Sequence, residues 1–274
     1  MTTVSPPSAG PIVITPHGGP EELFGLGSMR VENGEALVSM TSGAWLRGED
    51  GTPSAGALGV LLDDVLGQAL LSGRPAGHWS VTTELSLDFG AALPLDGTVI
   101  RAEGRPIRVD ASGGLSQGWA FDGHGATLAV GTTWARFLPG APEAVLAPPV
   151  VPEVVDRGSS VSELLGIEPG PTPGSLLART RTELANPAGV VHGGVVACLV
   201  ELAARRALAH PTLPTASVRV VYLRPAVGDL VVTADVQHKG RSLAVAHVVA
   251  RGASGKPAAT ATVTCRSPVP AGTG

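Results

Sequence analysis

The sequence predicts an α+β protein built from two repeats, in each of which an antiparallel sheet curves around one central helix. Three observations lead to this prediction. The two halves of the 274-residue chain resemble each other, each half has one strongly apolar helical stretch, and each half contains segments in which apolar and polar residues alternate. Such alternation is typical of half-buried antiparallel strands. A helix that is apolar on nearly every side must be covered, and a strongly curved sheet can cover it.

The duplication is clearest around the two apolar helical stretches. A gap-free alignment keeps one offset of 138 residues, which places Ser54 on His192 and Asp63 on Glu201. Flanking segments match in the same order: residues 22–26 resemble 163–167, and residues 82–89 resemble 215–222. Matching segments in the same order indicate an internal duplication.

Each half has the same predicted series of elements. Helices are predicted at about 54–72 and 192–209. Strands are predicted in the first half at about 35–41, 81–89, 98–109, 117–121 and 127–137. Strands are predicted in the second half at about 175–183, 217–224, 230–237, 243–251 and 258–266. Turns are expected where glycine follows a polar residue or another glycine, at Asp96-Gly97, Gly113-Gly114 and Lys239-Gly240.

Proline and glycine divide the chain into domains. Residues 1–20 are rich in Pro, Gly and Ser and are expected to be loose. Residues 139–160 contain five prolines, which prevent a regular helix or a central strand, so this segment is expected to be a linker. The two repeats are therefore expected to span residues 21–138 and 161–268.

Composition excludes several classes of partner. A net charge of −4 and a pI near 6.0 give no electrostatic case for nucleic acid or an anionic membrane. No apolar run is expected to be long enough to span a bilayer, and the first residues do not resemble a secretory signal. Cys198 and Cys265 form no CxxC motif, which favours free thiols and a cytoplasmic location.

One stretch has a pattern suited to chemistry. Asn186 is followed six residues later by His192-Gly193-Gly194, and Glu201 lies further along the same apolar helical stretch. The start of a helix offers unpaired N–H groups and a positive dipole end, and glycine lets a substrate approach the backbone. The first half keeps an acid, Asp63, and lacks the His-Gly pair.

These residues, with the segment 82–89 that follows the first helix, resemble acyl-CoA thioesterases of the hotdog fold, in particular those of the phenylacetate-pathway type. The likeness covers roughly residues 22–138 and 160–267. It implies two tandem hotdog domains that are paired as a dimer is, in one fused chain. It also implies a thioester hydrolase that acts on acyl-CoA and requires no metal or other cofactor.

The resemblance further implies composite sites, because the Asn and His-Gly come from one hotdog and the acid and hydroxyl from its partner. One complete site would join Asn186, His192 and Gly193 to Asp63 and Thr82. In it, Asp63 would be the base or nucleophile, the Gly193 N–H would donate to the oxyanion, and Asn186 would orient water.

The opposite site would join Glu201 and Thr215 to Gly48, Ser54 and Ala55, where the Asn and His-Gly are lost. One working site per chain is therefore expected. The alternative is that Ser54 and the Ala55 N–H still serve Glu201. Glu201 could also be a structural acid that pairs with Arg205, four residues later.

The remaining assignments concern the substrate and neighbouring residues. Substrate-binding roles are assigned to Gly194, Arg224, Lys239 and Arg241, the last three as partners of CoA phosphates. The Lys239–Arg241 turn could instead be a solvated hairpin.

Other residues have simpler expected roles. Asp64 is expected to face solvent, and His192 could simply cap the helix. The other histidines show no metal-binding spacing. Apolar outer faces predict a homo-oligomer of the fused unit.

Two other functions stay open on the sequence. The chain could be a non-catalytic protein that binds or senses acyl-CoA, if both sites have decayed. It could also be a hotdog hydratase or dehydratase, a class that uses an Asp/His pair in its site. No such pair is evident in the sequence, which makes the thioesterase the preferred function.

Overall fold

The fold is known from a computed structural model that describes residues 10–16, 18–140 and 157–267. The first half contains β1 (Ile12–Ile14), α1 (Gly19–Leu23), β2 (Met29–Glu32), β3 (Glu35–Thr41), α2 (Leu58–Gln68), β4 (His78–Phe89), β5 (Val99–Asp110), β6 (Gly113–Phe121) and β7 (Thr127–Pro139). The second half contains α3 (Val161–Leu165), β8 (Ile167–Pro169), β9 (Leu176–Ala178), α4 (Gly193–Leu208), β10 (Thr215–Tyr222), β11 (Leu230–Lys239), β12 (Leu243–Arg251) and β13 (Pro257–Arg266).

All thirteen described strands form one antiparallel sheet. Their order is β1-β2-β3-β5-β6-β7-β4-β10-β13-β12-β11-β9-β8. The first seven come from the first half and the last six from the second, so β4 and β10 join the halves at the centre. The predicted pair of hotdog domains with a continuous sheet is confirmed.

The register of the central pair shows a local twofold relation between the halves. Ser86 of β4 and Arg219 of β10 hold the same place in the repeat, since each lies four residues after the threonine that begins its matched segment. These two residues pair with each other across the seam. A residue that pairs with its own counterpart lies beside a twofold axis, so the duplicated halves pair as the subunits of a dimer do.

The two long helices, α2 and α4, contact each other inside the curved sheet, and their apolar residues are almost completely buried. Small residues allow the close crossing. A Cβ built on Gly59 would lie 2.6 Å from the backbone oxygen of Gly194, and a Cβ on Gly194 would lie 2.4 Å from the oxygen of Gly59. The start of α4 therefore lies directly on α2, the helix that carries Asp63.

Two local predictions are wrong in the first half. Residues 12–14 lie in the segment that is expected to be loose, yet they form β1 and pair with β2. The turn expected at Gly113-Gly114 lies two residues earlier, where Asp110 accepts hydrogen bonds from the N–H and hydroxyl of Ser112. Gly113 is instead needed because a Cβ there would lie 2.1 Å from the oxygen of Ala135.

The strand predicted over 175–183 is shorter than expected. It ends at Ala178, and a short 3-10 helix follows at Thr182–Leu184. The backbone N–H of Thr180 donates to the Asp229 side chain instead of to a neighbouring strand, which ends the ladder. The predicted linker, 139–160, lies mostly outside the described residues.

One apolar run is long enough to span a bilayer, contrary to the prediction. The helical stretch Ala55–Gly73 has 19 residues with a mean hydropathy of 1.3, which meets the length and composition of a membrane-spanning helix. In the fold it contains α2, and 72% of its most apolar window is buried inside the protein. A core helix that is covered on all sides has the same composition.

Candidate active site

Asp63 lies where the two halves meet, and groups from both halves hold its carboxylate. Thr82 Oγ1 donates to Asp63 Oδ1 at 2.9 Å, from β4 of the same half. The backbone N–H of Gly194 donates to Asp63 Oδ2 at 2.9 Å, from the first turn of α4 in the other half. Only 6% of Asp63 is exposed. The structure thus brings together the acid, the hydroxyl and the diglycine that the sequence assigned to one composite site.

Gly193 begins α4 beside this carboxylate. A Cβ built on Gly193 would lie 2.6 Å from Asp63 Oδ2 and 3.3 Å from the hydroxyl of Tyr222. Its N–H is at the first position of the helix, where no intrahelical acceptor is available. Tyr222, at the end of β10, donates its hydroxyl to the Gly193 oxygen at 2.7 Å. The position therefore requires glycine and presents a helix-terminal N–H next to the acid.

His192 caps α4, and Asp64 holds its ring. His192 Nδ1 accepts from the Gly194 N–H at 3.1 Å. His192 Nε2 donates to Asp64 Oδ1 at 3.1 Å. The expectation that Asp64 faces solvent is wrong: it is 8% exposed, because the crossing of α2 and α4 turns it towards the histidine.

The pKa values of His192 and of the carboxylates around it are shifted from their ordinary values. Burial disfavours the imidazolium, but the charges of Asp64, Asp63 and Glu21 outweigh it and raise the pKa of His192 to about 10. Protonation of Nδ1 ends the bond that this atom accepts from Gly194, and Nδ1–H then faces Asp63 Oδ2 at 3.6 Å. Burial, with a smaller contribution from Asp64, raises the pKa of Asp63, against the opposing charge of His192. Burial and the charge of Asp64 also raise the pKa of Glu21, to about 7.

Asn186 and Arg224 lie on two loops that meet beside α4. Asn186 Oδ1 accepts from the N–H groups of Ala188 and Val190, at 3.0 and 3.2 Å. This leaves the amide Nδ2 as the part that can donate to another molecule. The loop that follows β10 is tied to the Asn186 loop, since the N–H of Val191 donates to the oxygen of Ala226 at 2.9 Å. Arg224 is on that second loop and donates to the oxygen of Pro257.

Lys239 and Arg241 lie at the other end of the second-half sheet. Their turn leads into Leu243, which pairs with Arg266, next to the residue that pairs with Thr215. Thr215 and Tyr222 are seven residues apart along β10, or about 23 Å at the usual strand rise. The register therefore separates these two residues from Gly193, and their role as phosphate partners stays a prediction.

The residues predicted for the second site, Ser54 and Thr215, both contact Glu201. Ser54 Oγ donates to Glu201 Oε2, and Thr215 Oγ1 donates to Oε1, both at 2.7 Å. Glu201 is completely buried, and burial raises its pKa although Arg205 and the two hydroxyls oppose the shift. The carboxyl group thus has one hydroxyl on each oxygen, and the residue that replaces His192 in the repeat supplies one of them.

An Asp/His pair exists in the site, contrary to the expectation used against a hydratase. The pair is Asp64 and His192, and it is made between the two helices, so neither motif shows it alone. Both ring nitrogens already face protein groups, Gly194 on one side and Asp64 on the other. The pair therefore joins α2 to the start of α4, and the sequence-based argument against a hydratase is lost.

Sequence reasoning missed three residues at this site: Glu21, Asp64 and Tyr222. Two of them lay within matched segments, and Glu21 immediately precedes one, but no local pattern distinguished them. Asp64 follows Asp63 directly, so an acidic pair on an otherwise apolar helix was the one signal that could have flagged it. The other two are brought to the site by α1 and by the end of β10.

Comparison with known proteins agrees with this fold. The family described as the acyl-CoA thioesterase N-terminal domain matches residues 182–266. A Halobacterium salinarum protein with a provisional esterase name is 42% identical over 67 residues, which are 22% of this chain and 44% of that protein. The chain thus spans less than half the length of that relative.

Solved structures resemble the whole double unit. A provisionally assigned thioesterase from Novosphingobium aromaticivorans has a TM-score of 0.60 at 18% identity, covering 84% of this chain and 95% of its own. A protein with the hot dog fold from Alicyclobacillus acidocaldarius has a TM-score of 0.56 at 12% identity, covering 92% of this chain and 98% of its own. At such identities the likeness concerns the fold. The family match lies in the second half of the chain, and the likeness in fold covers both halves.

Proposed function

We propose that the protein is an acyl-CoA thioesterase with one working site, formed between the two hotdog halves around Asp63. The observation that carries the proposal is the position of the Asp63 carboxylate. It is held by Thr82 of its own half and by the Gly194 N–H of the other half, directly beside the first N–H of α4. An acid next to an unpaired helix-terminal donor is the arrangement that thioester hydrolysis needs.

In the proposed reaction, a water molecule attacks the thioester carbonyl carbon and gives a proton to Asp63. The Gly193 N–H stabilises the negative charge that develops on the carbonyl oxygen. The tetrahedral intermediate then collapses with cleavage of the C–S bond, and the proton passes to the leaving sulfur. The products are a carboxylic acid and free CoA thiol.

Neighbouring groups would position the Asp63 carboxylate and the Gly193 N–H for this reaction. The buried setting that raises the pKa of Asp63 makes its carboxylate a stronger base than an exposed aspartate. Thr82 fixes one oxygen, so the other faces Gly193. The Asn186 amide has its oxygen engaged and its NH₂ group available to hold the water. His192 lies against the same turn, with Nδ1 3.1 Å from the Gly194 nitrogen and 3.6 Å from Asp63 Oδ2.

The family match and one nearby cation support acyl-CoA as the substrate class. The matched family is described as acyl-CoA thioesterases. Arg224 lies on the loop joined to the Asn186 loop, where it could meet a CoA phosphate outside the site. Arg224→Ala should therefore raise KM for acyl-CoA more than it lowers kcat.

The decisive test compares the two equivalent acids. Thiol release from a panel of acyl-CoAs is measured for the wild type, Asp63→Asn and Glu201→Gln. Loss of a general base costs about 10²–10⁴-fold in kcat, so Asp63→Asn should lose at least two orders of magnitude while Glu201→Gln stays within a few-fold of the wild type. Equal activity of Asp63→Asn and the wild type would sink the assignment of the base.

The same assay separates the alternatives. Tight binding of acyl-CoA without thiol release by the wild type would favour a binding or sensing protein. Loss of enoyl-CoA absorbance would favour a hydratase. Loss of activity in Glu201→Gln alone would move the reaction to the opposite site.

A further inference from the structure

A second group of side chains lies beside Asp63. It consists of Glu21 from α1, Asp64 from α2 and His192 at the start of α4, and is called the acid–histidine cluster below. One carboxylate oxygen from each acid and one ring nitrogen lie within 4.8 Å of one another. The proposed hydrolysis gives Glu21 and Asp64 no task. Three elements from both halves thus converge on a point that the reaction leaves unexplained.

One oxygen in the cluster lacks a partner. Asp64 Oδ1 accepts from His192, but Asp64 Oδ2 is buried and has no hydrogen bond to any described residue. Asp64 as a whole is 92% buried, the complement of its 8% exposure. Leaving a buried carboxylate oxygen unpaired is costly, so this atom calls for a ligand that the described protein atoms do not provide.

The charges in the acid–histidine cluster favour a cation. Glu21, Asp63 and Asp64 face a single imidazole, and all three carboxylates act on it electrostatically. Among the described residues, His192 is the cation that lies within ion-pair distance of Asp63 and Asp64. Glu21 is only half-buried, so its side leaves a route from solvent.

The donor atoms fit a first-row transition ion better than magnesium or calcium. Imidazole nitrogen with carboxylate oxygen is a common donor set for Zn²⁺, whereas Mg²⁺ and Ca²⁺ prefer oxygen alone. Two ligands about 2.0–2.1 Å from a tetrahedral zinc are about 3.3 Å apart. The distance from His192 Nε2 to Asp64 Oδ1 is 3.1 Å, close to that value.

The outer surroundings of the histidine also suit a metal. A histidine that binds metal through one nitrogen almost always donates from the other to a carboxylate, a backbone carbonyl or water. His192 Nδ1 lies 3.6 Å from Asp63 Oδ2. When Nε2 binds an ion, the proton belongs on Nδ1 and points at Asp63, while the Gly194 N–H keeps its bond to the same carboxylate.

We propose that Glu21, Asp64 and His192 form a binding site for a divalent transition-metal ion, with Zn²⁺ as the preferred ion. Three protein ligands leave a fourth position for water. The site ties α1 and α2 of the first half to α4 of the second. The site shares His192 with the proposed thioesterase site, but its test does not depend on that function, because binding is measured without substrate.

The test is metal binding by the full-length protein. After chelator treatment and dialysis, Zn²⁺ is titrated calorimetrically into the wild type, Glu21→Gln and Asp64→Asn. Glu22→Gln is the matched control, since Glu22 is the next acid on α1 and instead accepts from the Gly18 N–H. The wild type and the control should bind one ion with equal affinity, and each cluster variant should bind at least tenfold more weakly.

A second readout does not depend on calorimetry. Because an ion that binds only the folded state stabilises it, Zn²⁺ should raise the Tm of the wild type and of Glu22→Gln, and the rise should shrink in Glu21→Gln. Glu21 is half-buried, so this variant should fold, and circular dichroism checks that it does. A wild type that binds no Zn²⁺, or cluster variants that bind it as tightly as the wild type, would overturn the proposal.

Discussion

Asp63 and Glu201 hold equivalent places in the two halves but have different neighbours. Asp63 receives a backbone N–H and one hydroxyl, and lies beside a helix start without side chains. Glu201 receives two hydroxyls and is completely enclosed. Ser54, which holds the place of His192 in the repeat, thus donates directly to the acid that is equivalent to Asp63.

Gly193→Ala tests whether the first position of α4 must lack a side chain. A methyl group there would lie 2.6 Å from Asp63 Oδ2, so the carboxylate must move. A displacement of about 1 Å in a catalytic group costs about 10²-fold in rate. We expect kcat for thiol release to fall by that order while the circular dichroism spectrum is unchanged. Ala55→Gly, the equivalent change in the first half, should leave kcat unaltered; equal rates for Gly193→Ala and the wild type would contradict the proposed geometry.

Glu201→Gln tests the charge state of the enclosed acid through stability. Burial raises the folded-state pKa of Glu201 above its ordinary value of 4.5. Above pH 4.5 the unfolded chain loses this proton while the folded protein keeps it, so this group makes stability fall with pH by about 1.4 kcal/mol per unit. The fall stops above the folded pKa.

The glutamine variant lacks this contribution. Urea unfolding at several pH values should therefore show the free energy of unfolding of Glu201→Gln, relative to the wild type, rising as pH increases from about 5. A constant difference across that range would mean that Glu201 is ionised in the folded protein. The Arg205 charge nearby would then be the stronger influence.

At the scale of the elements, the crossing of α2 and α4 decides which side chains meet. Gly59 and Gly194 bring the two backbones into contact, and this places Asp63 and Asp64 against the start of α4. A wider crossing would separate the Asp63 carboxylate from the Gly194 N–H, which are 2.9 Å apart. The helix crossing is therefore part of the site.

Gly59→Ala should weaken this crossing, whereas Gly67→Ala on the same helix should not. A Cβ on Gly59 would lie 2.6 Å from the Gly194 oxygen, and a Cβ on Gly67 has nothing within 4 Å. We expect Gly59→Ala to lower the free energy of unfolding by about 1–3 kcal/mol. Gly67→Ala should raise it by about 0.5–1 kcal/mol, because alanine favours a helix. Denaturant unfolding measures both, and similar values for the two variants would argue against a tight crossing.

At the scale of the whole molecule, the fused chain replaces a dimer. The β4–β10 pairing and the helix crossing join the halves, and the site draws residues from both. Arg219 adds an exposed ion pair with Asp88 across the same seam, whose contribution to stability is small. The association of the halves therefore depends mainly on the sheet and the buried helices.

Cutting the chain should not separate the halves. A protease site inserted between residues 140 and 157 would break the connection after both domains have folded. We expect the nicked protein to elute as one particle in size-exclusion chromatography and to retain thiol release. Each half expressed alone should be inactive, because neither contains both Asp63 and Gly193. Activity in an isolated half would contradict the composite site.

The predicted homo-oligomer of this fused unit stays a prediction. Large apolar side chains are exposed on the outer face of the sheet, including Trp134, Leu138 and Val221. Light scattering coupled to chromatography would show whether they are covered in solution.

The sequence was a good guide wherever the repeat supplied a second copy of a feature. The apolar helices and most strands could be predicted, because burial imposes a period that the residues must follow. The pairing of Asp63 with Thr82 and the diglycine came from the family resemblance, applied across the two halves. The prediction of a turn at Gly113 was wrong. Glycine is favoured both where two strands approach closely and where the chain reverses, and the sequence does not tell these two cases apart.

By itself, the sequence determined the duplication, the central helix and most strands of each half, and the candidate residues of both sites. These properties belong to single segments or to the comparison of one half with the other. Only the tertiary structure decided that Asp64 turns inward to His192, that Tyr222 supports Gly193, and that Glu21 completes a cluster of acids. These contacts join residues that are distant in the chain, and the distances between them depend on how closely two helices cross and on where a strand ends.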